Sequence, residues 1–202
     1  MARKTRHDGD ATRKLILEEA EHLIHVQGYR GTSLEEIARR CRMTKANLLH
    51  HYKSKEELGL AVLDFKADCY RKNCLERVFA EGKSAEQAIR DVFDQASCFF
   101  KGNGCKAGCF IGNIALEMSD VDSRFRERAG RFFSEWAGSL ERLLLAGGGD
   151  RGSKAAAESI LALYEGAIML ARTQRDPSVF DRARDTALSL VRSLRRPILT
   201  RR

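Results

Sequence analysis

The chain has 202 residues, of which 43% are hydrophobic and 32% are charged, with a formal net charge of +8. These values are ordinary for a soluble globular protein of one large domain or two small ones, and no apolar run approaches the roughly 20 residues that cross a membrane. Because the first ten residues also lack the apolar segment of a secretion signal, we expect the protein in the cytoplasm.

Three short helices are predicted at the start of the chain. Helical periodicity covers about residues 10–27 and ends before a glycine. Ser33 and Glu36 then have the spacing of a capping box, which predicts a short helix that reaches about Arg40. A third helix is predicted to begin near Thr44.

Helices are predicted through the rest of the chain as well. Ser54 and Glu57 repeat the capping pattern, and apolar residues then follow one helical stripe to about Ala80. No segment alternates apolar and polar residues as a strand does, so the sequence predicts an all-helical fold. The remaining predicted helices cover about residues 84–101, 109–118, 122–146 and 153–172, and a last one opens at Asp176 and Pro177 and ends before Pro197.

A basic patch overlaps the second and third predicted helices. Between Arg39 and Lys55 the chain has six Lys or Arg residues and no Asp or Glu, with His50 and His51 inside the same span. A polyanion is the natural partner of such a patch, because each neutralised phosphate releases condensed counterions. The alternative is a solvated basic face without a partner.

Two short helices joined by a tight turn, the second rich in hydrogen-bond donors, form the layout that places a recognition helix in the DNA major groove. Helical periodicity separates an inward set from an outward set on these helices. The inward set is Leu34, Ile37, Ala38, Leu48 and Tyr52, packed with Leu23 and Ile24, and the outward set is Lys45, Ala46, Leu49, His50 and His51.

One run of residues resembles the N-terminal domain of TetR-family transcriptional regulators, namely GYRGTSLEEIARRCRMTKANLLHHYKSKEEL. The similarity covers about residues 12–60. It implies an all-α protein with an N-terminal three-helix helix-turn-helix DNA-binding domain over residues 1–53. The C-terminal helical bundle over residues 54–202 would then bind an effector and supply the dimer interface.

The resemblance implies DNA contacts at the starts of the second and third helices and just beyond the third. Hydroxyls at Ser33 and Thr44 suit phosphates, and Lys45 can reach a guanine edge or a phosphate. His51 has an alternative role as a half-buried residue that bonds a backbone carbonyl. The implied DNA-contacting residues are Thr32, Ser33, Thr44, Lys45, Ala46, Leu49, His50, His51 and Lys55.

Two residues depart from the usual pattern of the family. Leu49 stands where the family commonly has an aromatic residue, so an apolar contact to a thymine methyl group is expected in its place. Arg42 stands in the turn where glycine is frequent. If Arg42 adopts a left-handed backbone conformation, the strain amounts to about 1 kcal/mol.

The final two helices carry more apolar surface than one bundle face requires. Two copies could pair these helices into a four-helix interface and form a two-fold dimer. Such a dimer would hold two recognition helices one DNA turn apart, roughly 34 Å. We therefore expect a homodimer on a palindromic double-stranded operator.

The stretch GCKAGCFIGNIALE resembles a sub-group of these regulators in which a cysteine lies against the effector pocket, and Cys109 matches that cysteine. If its helix starts at Gly108, the helix dipole and Lys106 would stabilise a thiolate at Cys109, and Cys105 could resolve a sulfenic acid. The alternative is that both cysteines only pack in the core. Their spacing lacks the usual pattern of a zinc site, so no metal is predicted.

Several aromatic residues in the larger half could line an apolar cavity or only fill the core. The residues predicted to bind or sense a small-molecule effector are Phe65, Cys105, Cys109, Asn113, Trp136 and Tyr164.

The sequence as a whole predicts a ligand-responsive DNA-binding regulator, a repressor in its mode of action, without catalysis and without a cofactor. One alternative is a thiol-dependent redox enzyme or sensor centred on Cys109. Another is a helical module that binds nucleic acid or a partner without sequence specificity. Sequence-specific operator binding would separate the first interpretation from the other two.

Overall fold

The computed structural model of the protein describes residues 2–106 and 108–194, with side chains from residue 9 onward. Every regular element in this part of the chain is helical, which confirms the predicted all-α class. The α-helices are α1 Ala2–Gln27, α2 Leu34–Arg40, α3 Lys45–His51, α4 Lys55–Tyr70, α5 Glu76–Val78, α6 Ala85–Gly102, α7 Phe110–Met118, α8 Ser123–Ala146, α9 Ser153–Gln174 and α10 Val179–Leu194, and a π-helical turn Arg71–Leu75 lies between α4 and α5.

Three helices differ from their predicted form. The first begins at Ala2 and not near residue 10. The helix predicted from Ser54 to about Ala80 is interrupted by the π-helical turn. The last helix begins at Val179, because the Asp176 carboxylate accepts a hydrogen bond from the Ser178 amide at 2.9 Å and holds the preceding residues in a turn. Pro197, its predicted stop, lies outside the described residues.

Packing divides the chain into two compact units. Unit 1 contains residues 1–68 and 110–129, and unit 2 contains residues 69–109 and 130–202. The units differ from the predicted functional domains because α7 and the start of α8 pack with the N-terminal helices.

Unit 1 has a continuous apolar core. Gly59 is part of it, because a Cβ atom at this position would collide with the Tyr29 ring. The ring of Tyr29 also lies 5.2 Å from that of Phe125. Other large buried side chains of this core include Ile16, Ile24, Ile37, Leu48, Tyr52, Leu58, Leu63, Phe110 and Ile111.

Polar contacts tie α7 to the loop after α1 within unit 1. The Glu117 carboxylate accepts hydrogen bonds from the backbone amides of Tyr29 at 3.0 Å and Arg30 at 2.9 Å. A Cβ atom on Gly28 would lie 2.8 Å from the Glu117 Oε1 atom, and the φ of Gly28 is +84°. Glycine is therefore required at position 28 both for its backbone angle and for the approach of this carboxylate.

Unit 2 is a helical bundle in which α10 packs against both α6 and α9. Phe93, Phe100 and Phe180 are buried at its centre. Arg184 of α10 pairs with Asp94 of α6 and with Asp181 of its own helix. The ring centres of Phe93 and Phe180 lie 5.4 Å and 6.4 Å from the ring centre of Tyr164 on α9.

Candidate nucleic-acid interface and effector region

Side-chain caps fix the starts of α2 and α3. The Ser33 hydroxyl accepts a hydrogen bond from the Glu36 amide at 3.1 Å, and the Thr44 hydroxyl accepts one from the Asn47 amide at 3.2 Å. Each cap satisfies an amide that the first helical turn leaves without a backbone partner. The predicted starts of both helices are therefore confirmed.

The turn between α2 and α3 depends on Arg42. Its φ is +55°, so the residue adopts the left-handed conformation that the sequence analysis considers for it. The Met43 amide donates to the Ala38 carbonyl at 2.9 Å and closes the turn. Strain of about 1 kcal/mol is therefore stored beside the candidate recognition helix.

The inward and outward sets on these helices match the prediction. Leu48, Ile37 and Tyr52 are all at most 1% exposed. On the opposite face of α3, Lys45, Ala46 and His50 are exposed, and Leu49 and His51 are half-buried. Leu34 is half-buried, and the other inward residues are buried. The polar side of α3 is thus available to a ligand.

Thr32 departs from its predicted role. It is only 1% exposed, and its hydroxyl donates to the Gly28 carbonyl at 2.8 Å. This side chain therefore supports the loop after α1 and does not reach the surface. Ser33 and Thr44 remain exposed, and a hydroxyl that accepts from an amide can still donate its own proton to a phosphate.

Lys55 occupies a less open position than its predicted role suggests. Its ammonium lies 4.7 Å from the centre of the Tyr29 ring, and it donates to the Arg30 carbonyl at 3.4 Å. The residue is half-buried. A DNA contact at this position would require the ammonium to leave the ring and the carbonyl.

Acidic neighbours neutralise part of the basic patch. Lys45 pairs with Glu35 of α2, and Arg40 pairs with Glu19 of α1 at 2.8 Å. The hydrogen bond from Lys45 lowers the pKa of Glu35. The local count of charges missed these partners because they precede Arg39 in the chain. DNA must therefore compete with Glu35 for the Lys45 ammonium.

Arg13 is a surface cation that sequence reasoning missed. It donates to the His51 carbonyl at 2.8 Å, and its guanidinium lies 4.5 Å from the centre of the Tyr52 ring. Burial, together with the nearby His50 and Arg13 charges, lowers the pKa of His51. Arg13 therefore braces the C-terminal end of α3 from α1.

The predicted effector residues fall into two groups. Phe65 and Asn113 belong to unit 1, and both are half-buried. Cys105, Cys109, Trp136 and Tyr164 belong to unit 2. Trp136 and Tyr164 lie together, with ring centres 5.8 Å apart.

The surroundings of Cys109 differ from those predicted. Its helix α7 begins at Phe110 and not at Gly108, and Lys106 is exposed. Cys109 is only 6% exposed, and its thiol forms a hydrogen bond with the Glu165 side chain. A thiol that donates to a carboxylate keeps its proton, and a neighbouring negative charge opposes its ionisation. The structure therefore does not favour the predicted thiolate.

Cys105 is buried as well. It is 3% exposed, its φ is +55°, and its carbonyl accepts a hydrogen bond from Arg175 at 2.7 Å. Glu165 was missed at the sequence level, although a signal was present. It is the acidic residue inside the apolar stretch ILALYEGAIMLA of α9, where an unpaired carboxylate is unusual.

Two family models match this chain. The model of bacterial regulatory proteins of the tetR family matches residues 16–62, which include α2 and α3. The model described as the C-terminal domain of LmrA/YxaF-like transcriptional regulators matches residues 85–186. The chain therefore belongs to the TetR family of bacterial regulatory proteins and is a DNA-binding transcriptional regulator.

Individual relatives agree with this assignment. The chain is 29% identical to the HTH-type transcriptional regulator LmrA of Bacillus subtilis, over 83% of this chain and 89% of that protein. It is 24% identical to the HTH-type transcriptional repressor DhaR of Mycobacterium sp. strain GP1, over 84% and 86% of the two chains. A crystal structure of a TetR transcriptional regulator from Legionella pneumophila superposes with a TM-score of 0.76 at 27% identity, covering 86% of this chain and 93% of that chain.

Within residues 2–106 and 108–194, no helix is long and apolar enough to cross a membrane. The same residues contain no cluster of His, Cys, Asp and Glu side chains arranged to hold a metal ion.

Proposed function

We propose that the protein is a homodimeric, ligand-responsive repressor that binds a palindromic operator through α3. The observation that carries this proposal is the separation of the two faces of α3, with Leu48 fully buried and the Lys45 and His50 side exposed. The similarity to DhaR, a transcriptional repressor, supports repression as the mode of action. Regulation and not catalysis is the proposed role.

The proposed DNA contacts come from exposed or partly exposed residues of α2, α3 and the start of α4. Ser33 and Thr44 would bind phosphates, while Lys45, Ala46, Leu49, His50 and His51 would face the groove. Lys55 would bind a phosphate after it leaves the Tyr29 ring. The proposed DNA-binding part is residues 1–53, and residues 54–202 would bind the effector and form the dimer.

Gel shifts with selected genomic fragments across a salt series test this proposal. A palindromic site should bind about 10³-fold or more tightly than random DNA, and each phosphate contact should add about 0.9 to the slope of log affinity against log salt. The double variant Lys45→Ala, His50→Ala should lose operator affinity and keep its helical content. Lys14→Ala is the control, since Lys14 is an exposed lysine of α1 that pairs with Glu18. Equal affinity for all DNA sequences would overturn the proposal.

An exposed apolar surface on α9 and α10 supports the proposed dimer. Leu170 is 46% exposed and Met169 is 56% exposed. A Cβ atom added to Gly166 would meet no other atom within 4 Å, so this side of α9 is open. The groove between the two helices is lined by Ser159, Ala162, Leu163, Gly166, Ala167, Leu170, Gln174, Val179, Arg182, Ala183 and Thr186.

The dimer is tested with Leu170→Glu. A carboxylate buried in the proposed four-helix interface would lack a partner and should convert the dimer to a monomer. Leu145→Glu is the matched control, because Leu145 is 49% exposed on α8. Light scattering during size exclusion measures the mass of both variants. A dimer that persists in Leu170→Glu would show that the interface lies elsewhere.

The proposed response to an effector follows from linkage. An effector that favours a separation of the two recognition helices unsuited to the operator weakens DNA binding. Bound DNA then weakens effector binding by the same factor. Phe65, Cys105, Cys109, Asn113, Trp136 and Tyr164 remain the proposed effector or sensing residues. Cys109→Ser should leave operator binding unchanged, whereas a thiol redox enzyme would lose its turnover.

A further inference from the structure

Glu165 is a carboxylate inside unit 2 that has no cationic partner among residues 9–106 and 108–194. Burial raises its pKa to about 7, and the Cys109 thiol is the one side chain that opposes this shift by hydrogen bonding. Among the residues that the structure describes, no Lys, Arg or His stabilises its charge. A half-buried carboxylate with a single weak donor is costly to keep, because its remaining acceptor positions lose their water.

Aromatic rings surround the residue next to Glu165 on α9. The Tyr164 ring centre lies 5.4 Å from that of Phe93, 5.8 Å from that of Trp136 and 6.4 Å from that of Phe180. Burial raises the pKa of Tyr164 well above its usual range. The other groups that raise it are Tyr70, Cys74, Cys109 and Glu165, all of which are neutral or negative. Among the described residues, no Lys, Arg or His is among the groups that shift the pKa of Tyr164 or Glu165.

Both groups nevertheless retain surface that water can reach. Tyr164 and Glu165 are classed between buried and exposed, although burial dominates the pKa shift of each. A ligand could therefore contact the Glu165 carboxylate and the Tyr164 ring from their accessible sides.

The π-helical turn Arg71–Leu75 belongs to the same region. It begins directly after Tyr70 and contains Cys74, two of the groups that influence Tyr164. The Cys74 sulfur also lies 3.9 Å from the Gln95 side-chain oxygen. π-Helical turns are rare, and they are frequently found at functional sites. This backbone feature is independent of the charges and points to the same place.

We propose that the effector is an organic cation, an ammonium group attached to an apolar ring, whose charge pairs with Glu165 in place of the Cys109 thiol. A carboxylate supplies the ionic partner, and the faces of Trp136 and Tyr164 attract a cation through their ring quadrupoles. Apolar walls with one convergent polar group are the usual form of a small-molecule site. The inference rests on the proposed function, in which unit 2 holds the effector.

The probes are three molecules that share one ring and differ in charge, namely benzylammonium, benzyl alcohol and benzoate. Trp136 is the single tryptophan of the chain, so its fluorescence reports directly on this region. Benzylammonium should quench this fluorescence and bind about tenfold or more tightly than benzyl alcohol, since an ion pair of about 1.4 kcal/mol corresponds to that factor. Benzoate should bind more weakly than both.

Glu165→Gln should remove the preference for the cation and bring benzylammonium to the affinity of the alcohol. Glu158→Gln is the matched control, because Glu158 is exposed on the same helix and pairs with Lys154 across 4.0 Å. Cys109→Ala removes the competing donor and should strengthen binding of benzylammonium. This second variant keeps the test informative if Glu165→Gln folds poorly.

Three results would overturn the inference: equal affinity for the three probes, tighter binding of benzoate, or a cation preference that survives in Glu165→Gln. Absence of quenching by all three probes up to their solubility would overturn it as well. Operator binding is measured separately on the same proteins. If the operator is bound with its specificity intact while the cation preference is missing, the effector class is wrong and the proposed function stands.

Discussion

The α2 and α3 segment of unit 1 and the Glu165 region of unit 2 distribute polar groups in opposite ways. In the first, apolar Leu48 is buried, Lys45 and His50 are exposed, and the capping contacts join residues three positions apart. In the second, Cys109 and Glu165 meet in the interior although they are distant in the chain. The difference teaches that the residues of α3 proposed to contact DNA can be changed with little loss of stability, whereas a change at Glu165 is expected to alter both stability and the proposed effector binding.

The largest expected effect tests whether the buried side of α3 carries stability. Leu48→Ala leaves a cavity at a fully buried position and should lower the free energy of unfolding by about 2 to 5 kcal/mol. Leu49→Ala, at the half-buried neighbour, should cost about 1 kcal/mol or less and weaken DNA binding instead. Urea denaturation and gel shifts measure the two quantities. Equal losses of stability in both variants would contradict the separation of faces.

The second prediction concerns pH and the interior of unit 2. The pKa of Glu165 in the folded protein, about 7, lies above its ordinary value. The neutral carboxyl therefore adds to the free energy of unfolding at low pH, and this contribution is lost as the pH rises toward 7. Relative to Glu165→Gln, the wild-type protein should lose roughly 2 to 3 kcal/mol between about pH 4.5 and pH 7. Thermal melts across this range provide the measurement. A constant difference between the two proteins would show that Glu165 is solvated in the folded state.

The third prediction tests the polar contact that joins α7 to the loop after α1. Glu117→Ala leaves the Tyr29 and Arg30 amides without their acceptor and should cost about 2 kcal/mol. Glu127→Ala on α8 is the control, since Glu127 is exposed. Hydrogen exchange should accelerate at the two amides in the first variant alone. Unchanged exchange would indicate that water replaces the carboxylate without loss.

The smallest expected effect lies in the turn before α3. Arg42→Gly should stabilise the protein by about 0.5 kcal/mol, because release of the left-handed strain exceeds the added flexibility of the unfolded chain. Arg39→Gly, inside α2, should destabilise it by about 1 kcal/mol. Opposite signs for two arginine-to-glycine changes three residues apart would separate backbone strain from charge. The same sign in both would attribute the effect to charge.

Much of unit 1 was predictable because its signals are local. The capping spacings at Ser33 and Thr44, the inward periodicity through Leu48 and the strained position of Arg42 all depend on neighbours within a helical turn. The burial of Thr32 was not predictable, since only the folded loop shows that its hydroxyl turns inward to the Gly28 carbonyl.

Unit 2 was predictable only in part. The helices follow from periodicity, but the π-helical turn has no distinct residue pattern and was read as continuous helix. The thiolate predicted at Cys109 depends on a helix start at Gly108 and on a nearby Lys106 charge, both inferred from neighbouring residues alone. In the structure the helix begins at Phe110, and Lys106 is exposed. The partner that decides its protonation, Glu165, is distant in sequence and could be named only from the folded bundle.

By itself, the sequence determined the helical class, the helix starts and the two faces of α3, because capping and periodicity act over three or four residues. Tertiary structure alone decided which charges meet. Lys45 is held by Glu35, Lys55 lies over Tyr29, and Glu165 has no cationic partner in the described part of the chain, although the net charge is +8. Electrostatic energy depends on distance and burial, and neither quantity is contained in the order of the residues.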